Sequence, residues 1–182
     1  MKRLVWPCVL WATVAFADVK ESGPSAFVVK LKRTVAAPPL KVWQTMLKPS
    51  SWWSVEHTIT GDTKNLFIDA KTGGCFCEKV SGGGVQHLAV VAALPNRMLV
   101  MNGGLGPLQQ SGVNGAMTWS LTEKDGKTEI SWVYDVGGHM EGGLDQISAK
   151  VDQVLAEQLE RLAKTVETGS PAGAKVEAAK KP

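Results

Sequence analysis

From residue 27 to residue 136 the chain runs as short stretches rich in valine, isoleucine, leucine and aromatic residues, broken by glycines. From residue 144 the period changes. Leu144, Ile147, Val151, Val154, Leu155, Gln158, Leu159, Leu162 and Val166 follow a 3.6-residue stripe, with Lys150, Asp152, Glu157, Glu160 and Lys164 mostly off it. The spacing predicts one helix over 144–168, about 37 Å long at 1.5 Å per residue. Gly142-Gly143 precede it, Asp145 lies in its first turn where the dipole favours an anion, and Gly169 follows as a stop.

Ahead of that helix, residues 27–35 alternate as a first strand. Pro38-Pro39 then stand where a helix starts, because proline in a first turn forfeits no hydrogen bond. Leu40, Val42, Trp43, Met46 and Leu47 supply the apolar side of a short helix, and 49–53 reads as a further helical turn ending in Trp52-Trp53. Strands are predicted over 57–60, 66–70, 75–80, 85–94, 98–102, 116–123 and 128–136, the last two joined by the hairpin signal Lys124-Asp125-Gly126-Lys127. Fifteen of the nineteen glycines lie between Gly73 and Gly143, where the turns and strand bends are needed. The segment 101–108 reads as a loop with exposed leucines, placed as a lid. Gly137-Gly138 and Gly142-Gly143 form a second glycine-rich joint ahead of the long helix.

The first residues read as an address. Met1-Lys2-Arg3 is a basic start, 4–16 is an apolar stretch too short to span a bilayer, and Ala15-Phe16-Ala17 is an A-x-A cleavage pattern. The expectation is a signal peptide over 1–17 and a periplasmic or secreted mature chain beginning at Asp18, with 18–26 as an N-terminal segment. Its removal lowers the formal charge from +3 to +1, since Lys2 and Arg3 leave and no acid goes with them. A near-neutral domain gives no electrostatic case for nucleic acid. Residues 169–182 offer almost nothing to bury and are expected to be a disordered tail. No stable membrane span is expected, and no phosphate-binding Gly-x-x-x-x-Gly-Lys-Ser/Thr loop is present.

Three local motifs stand in a telling order. Val35-Ala36-Ala37-Pro38-Pro39-Leu40-Lys41-Val42-Trp43 is similar to a "small-Pro-x-x-x-Val-Trp" start of a first helix. The segment 49–53, ending in tryptophan, follows it. Gly73-Gly74-Cys75-Phe76-Cys77-Glu78 is similar to a Gly-Gly-x-aromatic-x-Glu strand. In this order and spacing the chain resembles the START-like helix-grip proteins of the SRPBCC superfamily, nearest the polyketide-cyclase and heat-shock-protein-90-ATPase-activator-like branches. The resemblance covers 27–168. It implies an α+β fold: a curved antiparallel sheet of six or seven strands around a long C-terminal helix, with two short helices after the first strand. It also implies a hydrophobic cavity between sheet and helix. Members bind lipids, sterols, polyketides or hormones, and only some perform chemistry, so the fold does not choose a reaction.

The function expected is binding of a small or medium hydrophobic ligand, lipid- or polyketide-like, without catalysis. The candidate ligand-binding residues are Trp52, Trp53, His57, Phe76, Met101, Leu108, Trp119, Trp132 and Tyr134: aromatic and apolar walls carrying a few polar tips. No catalytic residue, cofactor or metal is assigned. One alternative is a cyclase- or dehydratase-like enzyme using polar groups of the types His57, His87, Glu78 and Tyr134. In it Glu78 faces either the cavity or solvent, and a buried carboxylate raised toward neutrality would serve as base. The other alternative rests on Cys75 and Cys77. At i and i+2 on a strand they share a face, with Cα atoms expected about 6.5–7 Å apart. A disulfide, a Zn or Cu(I) site completed by a histidine or methionine, and two buried thiols all remain open there.

Overall fold

The structure is a computed structural model and describes residues 18–173. The expected signal segment over 1–17 and most of the expected tail, 174–182, lie outside the described residues.

Eight strands form one antiparallel sheet: β1 (Asp18–Gly23), β2 (Ala26–Val35), β3 (Leu66–Ile68), β4 (Cys75–Val80), β5 (Gly83–Leu94), β6 (Met98–Asn102), β7 (Gly112–Lys124) and β8 (Lys127–His139). Their spatial order is β1-β2-β8-β7-β6-β5-β4-β3. Two α-helices, α1 (Pro39–Met46) and α2 (Asp145–Thr168), cover its inner face. The resemblance implied six or seven strands around the long helix and the structure has eight; the one that no part of the sequence pattern marked is β1. Its Asp-Val-Lys-Glu-Ser-Gly carries no apolar alternation, because an edge strand needs only backbone partners and charge on an edge discourages pairing with other chains.

Strand parity fixes the inner face. On β2, Phe27, Val29 and Leu31 point inward; on β7, Met117, Trp119 and Leu121; on β8, Ile130, Trp132, Tyr134 and Val136, all buried. The β7–β8 hairpin pairs Trp119 directly with Trp132. Its two-residue turn places Asp125 at φ 53° and Gly126 at φ 71°, the doubly left-handed geometry that suits the twist of a hairpin.

Helix α1 starts where the proline pair ends. The Pro38 carbonyl accepts from Lys41 and Val42 N–H (3.0 and 3.3 Å), and Val42, Trp43 and Met46 are buried. Helix α2 buries Leu155, Leu159, Leu162 and Val166 against β2, β1 and α1, and Gly169 closes it in the left-handed conformation with its N–H on the Thr165 carbonyl (2.8 Å). The Ser22 and Ser148 hydroxyls meet at 2.9 Å and Leu144 N–H donates to Pro24 O (2.9 Å), so the start of α2 is tied to the β1–β2 hairpin.

Two local expectations are corrected. Residues 57–60 form no strand: 55–57 is a single 3₁₀ turn, and the next N–H groups donate to a side chain instead of a ladder. In the 101–108 segment, Leu108 is fully buried under a 3₁₀ turn over Gly106–Gln110, and Leu105 is half-buried against the core.

Candidate functional site: a tryptophan-filled grip and its mouth

The segment between α1 and β3 enters the space between the sheet and α2. Trp52 is fully buried, with its ring centroid 6.1 Å from Trp119 and 5.9 Å from Trp132. Trp119 and Trp132 stack on each other at 4.5 Å with 12° between planes. Trp53 packs edge-on against Phe76 (5.1 Å) and against Trp52 (5.4 Å). The expected cavity walls Trp52, Trp53, Phe76, Trp119 and Trp132 thus come together as one aromatic cluster, and two of them fill the inner face of the sheet.

Hydrogen bonds hold this segment from both sides. Trp52 Nε1 donates to Thr45 O (3.0 Å) and Trp53 Nε1 to His57 O (3.0 Å). From α2, Arg161 Nε donates to Trp52 O (2.8 Å), and the Gln158 side-chain oxygen accepts from Ser54 N–H (2.8 Å). Three buried donors, two on the sheet and one on α2, have no hydrogen-bond partner among the described residues: Trp119 Nε1, Trp132 Nε1 and Gln158 Nε2. The residues carrying them are 1%, 1% and 0% exposed. A buried donor without an acceptor is costly, so two in the indole stack and a third on α2 call for an explanation.

At one end of the sheet a carboxylate holds residues 59–60, one of two loops that would border the mouth of a cavity. Glu78, buried on β4, accepts at Oε2 from Ile59 N–H (3.0 Å) and from His87 Nε2 (3.1 Å), and at Oε1 from Thr60 N–H (2.6 Å) and Thr60 Oγ1 (2.5 Å). Burial alone would raise this carboxyl, but the hydrogen bonds from Thr60, Ile59 and His87 outweigh it and hold it below the usual carboxylate range. Burial pushes the His87 imidazole down, and the adjacent Glu78 only partly offsets this. His87 is therefore neutral near pH 7, with the proton on the Nε2 that faces the carboxylate. The enzyme alternative offered a carboxylate raised toward neutrality as one candidate base; Glu78 is lowered instead, with four donors already on it.

The second loop of the mouth is fastened by Tyr134. Its hydroxyl donates to Gly103 O (2.8 Å) and accepts from Leu105 N–H (3.1 Å), and burial pushes the phenol up to about 12. The ring also lies against Gly115, where an added Cβ would fall 2.5 Å from it. Gln109 Nε2 donates to Gln86 O (2.9 Å), joining this loop to β5.

The remaining expected residues are spread out. Met101 and Leu108 are buried beneath the 103–110 loop. His57 adjoins the cluster through its backbone, where its carbonyl accepts from Trp53 Nε1, while its half-buried side chain stands with Nε2 3.6 Å from the Glu157 carboxylate. Cys75 and Cys77 are joined as a disulfide with Cα atoms 5.4 Å apart, closer than a regular strand allows, where the β4–β5 register shifts between Phe76 and Cys77. Neither sulfur is left to bind a metal, so that alternative is not carried forward. Gln158, Ser54, Thr60 and Arg161 were not singled out for the site. For Gln158 a signal existed, since it is the one polar residue on the apolar stripe of α2.

Comparison with known proteins now bears on this geometry. The family model described as "Polyketide cyclase / dehydrase and lipid transport" matches residues 26–167. The chain belongs to that family. The polyketide cyclase/dehydrase match spans the sheet and helix α2 nearly entire, and three solved structures share the START-like fold. A conserved protein of unknown function from Enterococcus faecalis is 12% identical, with 90% of this chain and 82% of that one covered and a TM-score of 0.59. CalU16 from Micromonospora echinospora is 14% identical over 86% and 88% (TM-score 0.55). The Aha1 dimer from Colwellia psychrerythraea is 18% identical over 78% and 97% (TM-score 0.52). No curated protein matches the chain. Among the described residues no helix is long and apolar enough to cross a membrane.

Proposed function

We propose that this polyketide cyclase/dehydrase family member binds a small or medium hydrophobic molecule between the sheet and α2 without transforming it, and that it does so after export. The observation that carries the reading is the set of buried, unpartnered N–H donors: those of Trp119 and Trp132 in the indole stack and that of Gln158 on α2. An apolar ligand bearing an oxygen acceptor satisfies those donors while its body stacks on indole. Room for it is made by withdrawal of Trp52 and Trp53, whose segment is built of short 3₁₀ turns and held by a countable set of hydrogen bonds. The Glu78–His87 pair acts in this reading as the clasp on the mouth.

The test is calorimetric titration with 2-acetylnaphthalene and with 2-ethylnaphthalene, which differ in the carbonyl acceptor. The acetyl compound is expected to bind about tenfold more tightly, the worth of one hydrogen bond. Equal affinity for the two would remove the donors from the account, and no heat from either would remove the site. Export is checked by intact mass: protein recovered from a periplasm is expected to begin at Asp18.

A further inference from the structure

The Cys75–Cys77 bond lies outside the function just described, and its surroundings give it a role of their own. Phe76 and Glu78 point inward and are buried, whereas Cys75 and Cys77 are half-exposed on the outer face of β4. The bond closes a ring with one residue inside it, the short limit at which a crosslink constrains an unfolded chain least. Both ends are already placed by pairing, Cys77 with Phe67 on β3 and Cys75 with Ala89 on β5. The sulfurs are reachable and the fold does not rely on them for its topology.

The outer face also carries a charge suited to exchange. Lys79 lies two residues beyond Cys77 on the same side, and its ammonium stands 5.5 Å from the centroid of the Phe67 ring. A positive charge on the face where a sulfur leaves as a thiolate favours opening of a disulfide, and Lys79 is the cation that β4 places on that face.

The consequence of opening falls on the mouth. An unbridged strand spaces alternate Cα atoms about 6.6 Å apart, whereas Cys75 and Cys77 are held at 5.4 Å. The register shift opposite them leaves His87 as the extra residue on β5, between Gln86 and Leu88. Gln86 O holds Gln109 of the 103–110 loop, and His87 and Glu78 hold residues 59–60. Any lengthening of β4 at this point bears on both loops together.

We propose that Cys75–Cys77 is a redox-active disulfide, exchanged by an external dithiol, and that its state sets how firmly the two loops of the mouth are held. In the exchange, one thiolate of the dithiol attacks a sulfur of the pair. The Cys75–Cys77 bond breaks and the departing cysteine takes a proton from solvent. The second thiolate then attacks the mixed disulfide and releases the other cysteine, which is protonated in turn. Two electrons pass to the protein, and the dithiol leaves as its disulfide.

The test uses the full chain with dithiothreitol in native buffer, alkylation by iodoacetamide, peptide mass analysis and amide hydrogen exchange. Cys75 and Cys77 are both expected to be alkylated without denaturant. Exchange at residues 59–60 and 103–110 is expected to quicken about tenfold while β7 and β8 stay protected. Reoxidation should restore the slow rates, and the Cys75→Ser/Cys77→Ser variant should show the fast rates with or without dithiothreitol. Alkylation only after urea unfolding would overturn the proposal, as would alkylation with unchanged exchange at both loops. Exchange rising equally across β7 and β8 on reduction would make the bond a structural staple and overturn it as well. If the double variant fails to fold, the cycle of reduction and reoxidation on the native sequence decides alone.

Discussion

Four donors converge on the two oxygens of Glu78, and two of them are backbone N–H groups that a strand ladder would otherwise have served. Glu78→Gln keeps the shape but loses the charge and turns an amine toward donors. It is expected to lower stability by about 3 kcal/mol, read as a fall in urea midpoint at constant slope. Acid should act on the same pair. Both folded groups lie below their ordinary values of 4.5 for Glu78 and 6.5 for His87, so the unfolded chain takes up protons first. Their contribution is complete above about pH 6.5 and is lost as pH falls, first through His87 and then, below 4.5, through Glu78. The variant His87→Gln retains a donor toward the carboxylate and should flatten the decline in melting temperature between pH 6.5 and 5. At Trp119 and Trp132, replacement by phenylalanine keeps a ring and removes the unpaired N–H. Folding stability should change by no more than about 1 kcal/mol, since a buried unpaired donor is itself a cost, while the affinity for 2-acetylnaphthalene falls about tenfold.

Among the elements, the 103–110 loop owes its position to Tyr134 on β8. Tyr134→Phe removes a donor to Gly103 O and an acceptor for Leu105 N–H, so amide exchange in 103–110 should rise while that of β2 is unchanged. Gly115→Ala should loosen the same loop by another route, because the new methyl meets the Tyr134 ring. These two elements also show where sequence reasoning reaches and where it stops. Helix α2 was legible to within one residue of its start because its stripe, first-turn aspartate and glycine stop agree. The Lys124–Lys127 turn was legible because Asp-Gly has few alternatives to a tight hairpin. Strand β1 was not, since edge pairing leaves no period in the side chains. Nor was the Glu78 clasp, whose partners lie 18 and 19 residues earlier in a loop that has no period of its own. Parity put Glu78 on a face without saying which way that face looked.

Across the whole molecule, the α+β class and the run of antiparallel strands closed by one long helix followed from pattern and from resemblance, apart from strand β1 and the 57–60 segment. The filling of the grip by Trp52 and Trp53 did not. Local period says that a residue is apolar and on which face it lies; it does not say how far an irregular segment reaches across a sheet. That reach changes the picture of binding. A ligand bound as proposed would compete with two tryptophans for the same apolar surface, so its net gain would be smaller than the area it covers would suggest, and affinity would depend more on the three unpartnered donors.

The stack of Trp119 on Trp132 has a further, optical consequence. Two indoles 4.5 Å apart and 12° from parallel are close enough for their excited states to mix, so they should absorb as a pair and give a signed couplet in circular dichroism. Trp132→Phe should abolish the couplet while the sheet signal persists. In the native protein its amplitude should change whenever a guest slides against the indole pair. The protein thus carries its own chromophore at the centre of the grip, and the proposed binding can be tested without a label.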